Sequence, residues 1–334
     1  MKIFFPTDFY KYGVRKRAIF ILSGETENAI GQMNRIVVIG SSNIDMIIHC
    51  DRLPVQGQIV AGRQFAMKSG GKGANQAIAV ARMGGSVALV TKIGNDLFGK
   101  QSLELYESEG ISLDYVFSDP DLPSSIGLIM SDSLGEKYIS IAQGAIRNLT
   151  VEDIERARPV IEGADFLLME LEIPIETAEY VTRIAAAHDV TVILNPSPVQ
   201  AISPELLHGV RIIIPNKTEA SLLTGITVDD WASARKAADS IREKGVETVV
   251  ITLGSKGALV RDADGCHEIA AVKVGTVDAT AAGDTFCGVF CVGLSEGMSV
   301  VEAARMANRA AALSVSRLGS QEAIPYRAEL ERMQ

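Results

Sequence analysis

Short aliphatic runs alternate along this chain with longer stretches whose apolar residues recur at helical spacing. Ile36-Val37-Val38-Ile39 is a β-branched run that stops at Gly40-Ser41-Ser42-Asn43, the pattern of a buried strand feeding a turn. Ser69–Asn75 opens a helix expected to reach Met83, which Gly84-Gly85 ends. Ser86–Ile93 reads as a strand and Phe98–Glu109 as a helix. From residue 151 the alternation is regular. Helices are expected near 151–158, 175–188 and 229–244, and strands near 165–171, 190–195, 211–215 and 247–253. Ala258–Arg261 and Glu268–Ala271 flank a turn at Asp262–Gly265. An apolar helix follows Asp278–Asp284 as far as Ser295, and an alanine-rich one runs from about Ser299 to Ser316. This rhythm predicts an α/β fold: a mostly parallel sheet covered by helices on both faces, in three layers.

Two stretches break the rhythm. Residues 44–66 and 123–142 are strand-rich and carry no helical period. In the second, Ser125–Ser131 and Lys137–Ala142 flank Asp132–Glu136 as a hairpin. Both are read as one small sheet forming a lid. Residues 1–33 also read differently. Basic residues Lys11, Arg15, Lys16 and Arg17 precede Ala18–Leu22, an apolar run too short for a secretory signal. They are expected to be an extension outside the fold, with a strand opening at Met33 and a working domain over 34–334.

Composition narrows the classes. The chain has 334 residues, 47% hydrophobic and 22% charged, which is globular. No run approaches the length of a membrane span. The net charge of −9, without a basic block, argues against a nucleic-acid partner. The four cysteines (Cys50, Cys266, Cys287, Cys291) form no metal-type pair. Cys287 and Cys291 share a helix face and are expected in the core, which suits a reducing cytoplasm.

Candidate chemistry sits at strand ends and helix starts. Asn43 and Asp45, Glu170 and Glu172, Asn195 and Asn216 all follow expected strands, the side where open α/β sheets place ligands. Asn43 and Asp45 equally suit a turn. Gly70-Gly71-Lys72-Gly73 lacks the Ser or Thr of a P-loop and the third glycine of a dinucleotide fingerprint. A bare tight turn is the alternative there. Val277–Phe286 is the most suggestive stretch. Small residues before Asp284 let peptide N–H groups converge at a helix N-terminus, an anion site with a carboxylate at its mouth. Such a carboxylate can take a hydroxyl proton while the amides hold developing phosphoryl charge. It can equally be a plain N-cap.

In this order, Asn43-Ile44-Asp45, Gly70–Asn75, Glu170-Leu171-Glu172, Asn195–Pro198, Pro215–Glu219 and Asp278–Asp284 resemble the ribokinase-like carbohydrate kinases, the phosphofructokinase B family. The resemblance covers about residues 34–330. It implies ATP-dependent phosphorylation of a sugar's primary hydroxyl, with magnesium, by a cytoplasmic enzyme that dimerises through its lids. It implies Asp284 as general base and the amides of Ala281, Ala282, Gly283 and Asp284 as anion hole. The implied sugar set is Asn43, Asp45, Gly70, Gly71, Lys72, Asn75 and Glu172. Asn216 and Glu219 are implied for phosphate and magnesium, Glu219 acting through water. Thr252, Gly254, Lys256, Gly257 and Asn308 match the nucleotide segment. Asp278 and Thr280, with carbonyls near Ser314, Arg317, Gly319 and Ala323, match an activating potassium site.

Three positions depart from the family's usual pattern: Ile146 after Gly144-Ala145, Lys217 after Asn216, and Val55-Gln56-Gly57-Gln58 in the lid. The first and third bear on the choice of sugar. D-ribose is the expected substrate, with 2-deoxyribose, another pentose or ketose, or a nucleoside as alternatives. A sugar-binding sensor without catalysis is a reading from a different class.

Overall fold

The computed structural model describes residues 35–134 and 136–333, so the expected extension over 1–33 and the strand start at Met33 lie outside the described residues. The first half contains β1 (Arg35–Ile39), β2 (Asn43–Cys50), β3 (Gly62–Gly70), α1 (Lys72–Arg82), β4 (Ser86–Gly94) and α2 (Leu97–Ser108). Next come β5 (Val116–Asp119), β6 (Ser125–Ser131), β7 (Lys137–Ala142), α3 (Val151–Glu162), β8 (Phe166–Met169), α4 (Ile175–Ala187) and β9 (Thr191–Leu194). Then follow α5 (Pro204–His208), β10 (Ile212–Ile213), α6 (Lys217–Thr224), α7 (Trp231–Arg242), β11 (Thr248–Thr252), β12 (Gly257–Arg261) and β13 (Cys266–Ala270). The chain closes with α8 (Ala282–Ser295), α9 (Val300–Val315) and α10 (Arg327–Arg332).

Nine strands form one sheet in the order β13-β12-β11-β10-β9-β8-β1-β4-β5. From β5 to β11 all neighbours are parallel, while β12 and β13 add an antiparallel edge. β1 explains the layering. Val37 and Ile39 pack into one core with residues of α3, α4 and α7, such as Ile154, Val181 and Ile241. Ile36 and Val38 pack into the opposite core with residues of α1, α8 and α9, such as Ile78, Phe290 and Ala307. A strand buried on both faces needs an unbroken apolar run, and this one has it.

The lid is a separate four-stranded sheet, β3-β2-β6-β7. Its centre is the parallel pair β2–β6, and both flanks are antiparallel. Asn43 and Asp45 are therefore neither turn nor main-sheet residues: they begin the lid, two apart on one face. Glycines permit the closest approach below the lid. A Cβ on Gly73 would lie 2.5 Å from the Gly40 carbonyl carbon, so α1 can start directly against the end of β1. Gly71, with φ of 95°, turns the chain from β3 into α1.

Candidate active site

Asp284 is the third residue of α8 and is 7% exposed. It does not cap its own helix. The residue at the cap position, Ala281, has φ of 57° and gives no side-chain cap. Left-handed alanine is unfavourable, and such outliers gather at ligand sites. The amides of Ala281, Gly283 and Asp284 have no hydrogen-bond partner among the described residues, whereas the Ala282 amide reaches the Ala279 carbonyl at 3.3 Å.

The Asp284 carboxylate is held instead by α1. Asn75 Nδ2 donates to Oδ2 at 2.9 Å, and Gln76 Nε2 donates to Oδ1 at 3.1 Å. Burial raises its pKa, partly offset by nearby Lys72 and the two amide donors. Burial works against the Lys72 ammonium too, but the carboxylates of Asp284, Glu172, Glu170 and Glu219 outweigh it and push that pKa up. One lysine thus faces four acids, and its charge is secure at neutral pH.

On the lid side a cavity of about 400 Å³ is lined by Asn43, Asp45, Gly71, Lys72, Asn75, Glu172 and Asp284, with Ile129, Ile139 and Ile141 as its apolar wall. Asn43 Nδ2 donates to Asp45 Oδ1 at 2.6 Å. Asp45 lies between two bare backbones. A Cβ on Gly127 would stand 2.5 Å from Oδ1, and one on Gly70 2.7 Å from Oδ2. Gly70 therefore serves by its missing side chain. Burial, then Glu172, pushes the Asp45 pKa up to about 6. Glu172 approaches Lys72 Nζ at 3.7 Å and accepts from Ser41 Oγ at 2.5 Å.

A smaller cavity of about 180 Å³ begins at Asp284 and is walled by Ala281, Ala282, Gly283, Asn195, Asn216, Glu219 and Lys72. Asn216 and Glu219 form a capping box on α6: Asn216 Oδ1 accepts from the Glu219 amide at 2.9 Å, and Glu219 returns an oxygen to the Asn216 amide at 2.8 Å. Burial raises the Glu219 pKa against the pull of that amide, Ser197 and Lys72. These oxygens are hard donors of the kind magnesium takes, and the space leaves room for its waters, so Asn216 and Glu219 fit the ion.

A third cavity, about 520 Å³, continues from Ala282 and Gly283 and is lined by Thr252, Gly254, Gly257, Val272, Val274, Phe286 and Asn308. It is largely apolar, with Asn308 tied through Nδ2 to the Ala270 carbonyl at 2.8 Å. Lys256 sits in the adjoining short turn with its ammonium on the Asp229 carbonyl. Of the cation-site candidates, Asp278 meets Thr280 and Gly319. Asp278 Oδ1 accepts from Thr280 Oγ1 at 2.7 Å, and Oδ2 accepts from the Gly319 amide at 3.2 Å. The Arg317 amide donates to the Ser314 carbonyl at 3.1 Å, and Ala323 is buried in the same loop. Both Asp278 oxygens are thus engaged by Thr280 and the Gly319 amide.

Motif reading passed over two participants, Ser41 and Gln76, and noted Glu170 without giving it a role. Ser41 joins the Glu172 carboxylate to the Lys72 amide, Glu170 braces the Ser41 and Glu172 amides at 2.5 Å each, and Gln76 touches Asp284. Burial and Glu172 raise the Glu170 pKa well above the carboxylate range. Ser41 looks like any turn serine, and Gln76 like any helix residue. Only Glu170 carried a signal, as a polar residue closing a buried strand.

The pattern of the pfkB family carbohydrate kinases matches residues 33–327. The chain is 40% identical to a ribokinase of Haemophilus influenzae over 294 residues, 88% of this chain and 96% of that protein. It is 33% identical to a deoxyribokinase of Salmonella typhi over 291 residues, 87% of this chain and 95% of that protein. A solved structure of Arabidopsis thaliana ribokinase complexed with ribose and ATP superposes with a TM-score of 0.83 at 31% identity, covering 90% of this chain and 98% of that one.

Proposed function

Since the chain belongs to the pfkB family of carbohydrate kinases, we propose that it transfers the γ-phosphoryl group of ATP to the primary 5-hydroxyl of D-ribose. That it is an ATP-dependent sugar kinase follows from the family. The choice of ribose, the residue roles and the assembly are our reading. The carrying observation is that three cavities meet at Asp284 and the start of α8: one under the polar lid face, one at the open amides, one apolar and large enough for a nucleoside.

In this reading the sugar lies in the lid cavity, its hydroxyls shared among Asn43, Asp45, Asn75 and Glu172, with Lys72 beside Glu172. Gly70 and Gly71 keep side chains out of its way. Its 5-hydroxyl meets Asp284, which takes the proton as the oxygen attacks phosphorus. The amides of Ala281, Gly283 and Asp284, with that of Ala282 if it leaves Ala279, receive charge on the transferring group. ATP lies along Thr252, Gly254, Gly257 and Asn308, with Lys256 at the margin and Asn216 near the phosphates. Glu219 is the residue that would hold magnesium, through water, and the ion would supply charge neutralisation on the phosphates. Asp278, Thr280 and the carbonyls near Ser314, Arg317, Gly319 and Ala323 would hold potassium, which would steady the loop leading to the anion hole.

The working domain is taken as 34–334, acting in the cytoplasm. A homodimer through the lids is supported by exposed Phe65, Leu128 and Tyr138 on the lid face away from Asp45, in a small sheet with two free edges. No helix among the described residues is long and apolar enough to cross a membrane. The deoxyribokinase relative keeps 2-deoxyribose as the second reading. The test is coupled ADP release with ATP, magnesium and potassium across ribose, 2-deoxyribose, fructose, adenosine and uridine. Highest kcat/KM on ribose supports the reading. Highest kcat/KM on another member moves the substrate, and none on any of them, with sugar bound, revives the sensor.

A further inference from the structure

Gln76 is fully buried in α1, and its two polar atoms fare very differently. Nε2 donates to Asp284 Oδ1 at 3.1 Å and lies 3.4 Å from Asn195 Oδ1. Oε1 has no hydrogen-bond partner among the described residues. A buried amide oxygen left unpaired is costly, and native structures avoid it unless something else requires it. Rotating the amide offers no escape. It would set Oε1 against a carboxylate and an amide oxygen, because Asn195 is itself fixed by its Nδ2 on the Ile214 carbonyl at 3.0 Å. The chain thus accepts an orphan acceptor to keep a donor on Asp284. The two helices run close together here: a Cβ on Gly288 of α8 would come within 2.6 Å of the Gln76 backbone carbonyl oxygen and of the Ala79 Cβ.

We propose that Gln76 is a positioning residue that fixes the plane of the Asp284 carboxylate, Asn75 holding one oxygen and Gln76 the other. The proposal rests on the reading of Asp284 as general base. Asp284 is faced by Lys72 and Asn75 from α1, Glu172 from the segment after β8, Glu219 from α6 and Cys287 from its own helix. Gln76 is a neutral donor among them, so losing it removes support for the ionised carboxylate and leaves every charge in place.

The decisive variant is Gln76→Met, which deletes the donor and the orphan acceptor together at similar length. A merely structural glutamine would reveal itself as lost stability with intact chemistry. The proposal expects the reverse: a melting temperature equal or higher, kcat lower by about tenfold to a hundredfold, and sugar and ATP KM values within about threefold. The acid limb of the kcat–pH profile, which reports the bound enzyme's base, should move up. Turnover within about twofold of the parent, with an unmoved acid limb, overturns the proposal. Gln76→Glu provides a second reading should the methionine variant unfold. Its added carboxylate should raise the acid limb, and an unmoved limb there overturns the proposal too. Asp284→Asn measured alongside separates the two claims. Parent-like turnover in that variant removes the base assignment, whereas an inert Asp284→Asn with an unaffected Gln76→Met removes only the positioning role.

Discussion

Gly127→Ala tests the sugar-binding geometry through a single methyl group. Gly127 pairs with Asp45 across the parallel centre of the lid. The new Cβ would stand 2.5 Å from Asp45 Oδ1 and 3.6 Å from its Cγ. Ordinary carbon–oxygen contact needs roughly 3.3 Å, so the carboxylate must shift by most of an ångström toward Gly70. The backbone can keep its strand geometry, because alanine suits a strand and φ is not in the left-handed range at Gly127. Displacing one charged acceptor from a sugar hydroxyl forfeits about 1.5–3 kcal/mol. That corresponds to a rise of roughly 10–150-fold in sugar KM. Because Asp284 and the amides of α8 are untouched, kcat should hold within about threefold and the ATP KM should not change. Steady-state kinetics with sugar varied at saturating ATP reads both. A sugar KM within twofold of the parent would refute the placement of Asp45 against the substrate.

Two further outcomes are expected. Asp45, with a pKa raised from 3.8 to about 6 by burial and Glu172, should lose its acceptor charge as pH falls through 6. Sugar KM should then rise roughly tenfold between pH 8 and pH 5, a step that Asp45→Asn abolishes. The stability sign is opposite: a carboxyl that binds its proton more tightly when folded stabilises the fold below about pH 4, and that contribution is lost as pH rises through 6. If sugar KM is flat over this range, Asp45 does not act as an ionised acceptor. Potassium should raise kcat relative to tetramethylammonium at equal ionic strength if Asp278, Thr280 and the 314–323 segment form the proposed cation site. Equal rates would remove the cation role.

Much of this architecture is written locally. Ile36–Ile39 announces a doubly buried strand, and residues 44–66 and 123–142 declare a sheet of their own through their missing helical period. The elements that escape are the short ones. β5, four residues long, carried no expectation and pairs along the nine-residue β4, while the strand expected over 211–215 forms only at Ile212–Ile213. The site divides along the same line. Asp284 stands out because glycine and alanine precede a helix, a local pattern. Whether it caps that helix or faces a ligand is decided by Asn75 and Gln76, more than two hundred residues away in sequence. Likewise Asn43 and Asp45 suit a turn by composition. Their place on a strand depends on pairing with β6, which no local signal carries.

The central claim is that Asp284 removes the proton from the hydroxyl that attacks ATP. Asp284→Asn keeps the shape and leaves one oxygen for either the Asn75 or the Gln76 amide, so the fold and the three cavities should survive. Single-turnover phosphoryl transfer with sugar and ATP both bound isolates that step. The account predicts a rate about 10²–10⁴-fold below the parent, with sugar and nucleotide affinities retained. A well-folded variant transferring phosphate at a parent-like rate would contradict it.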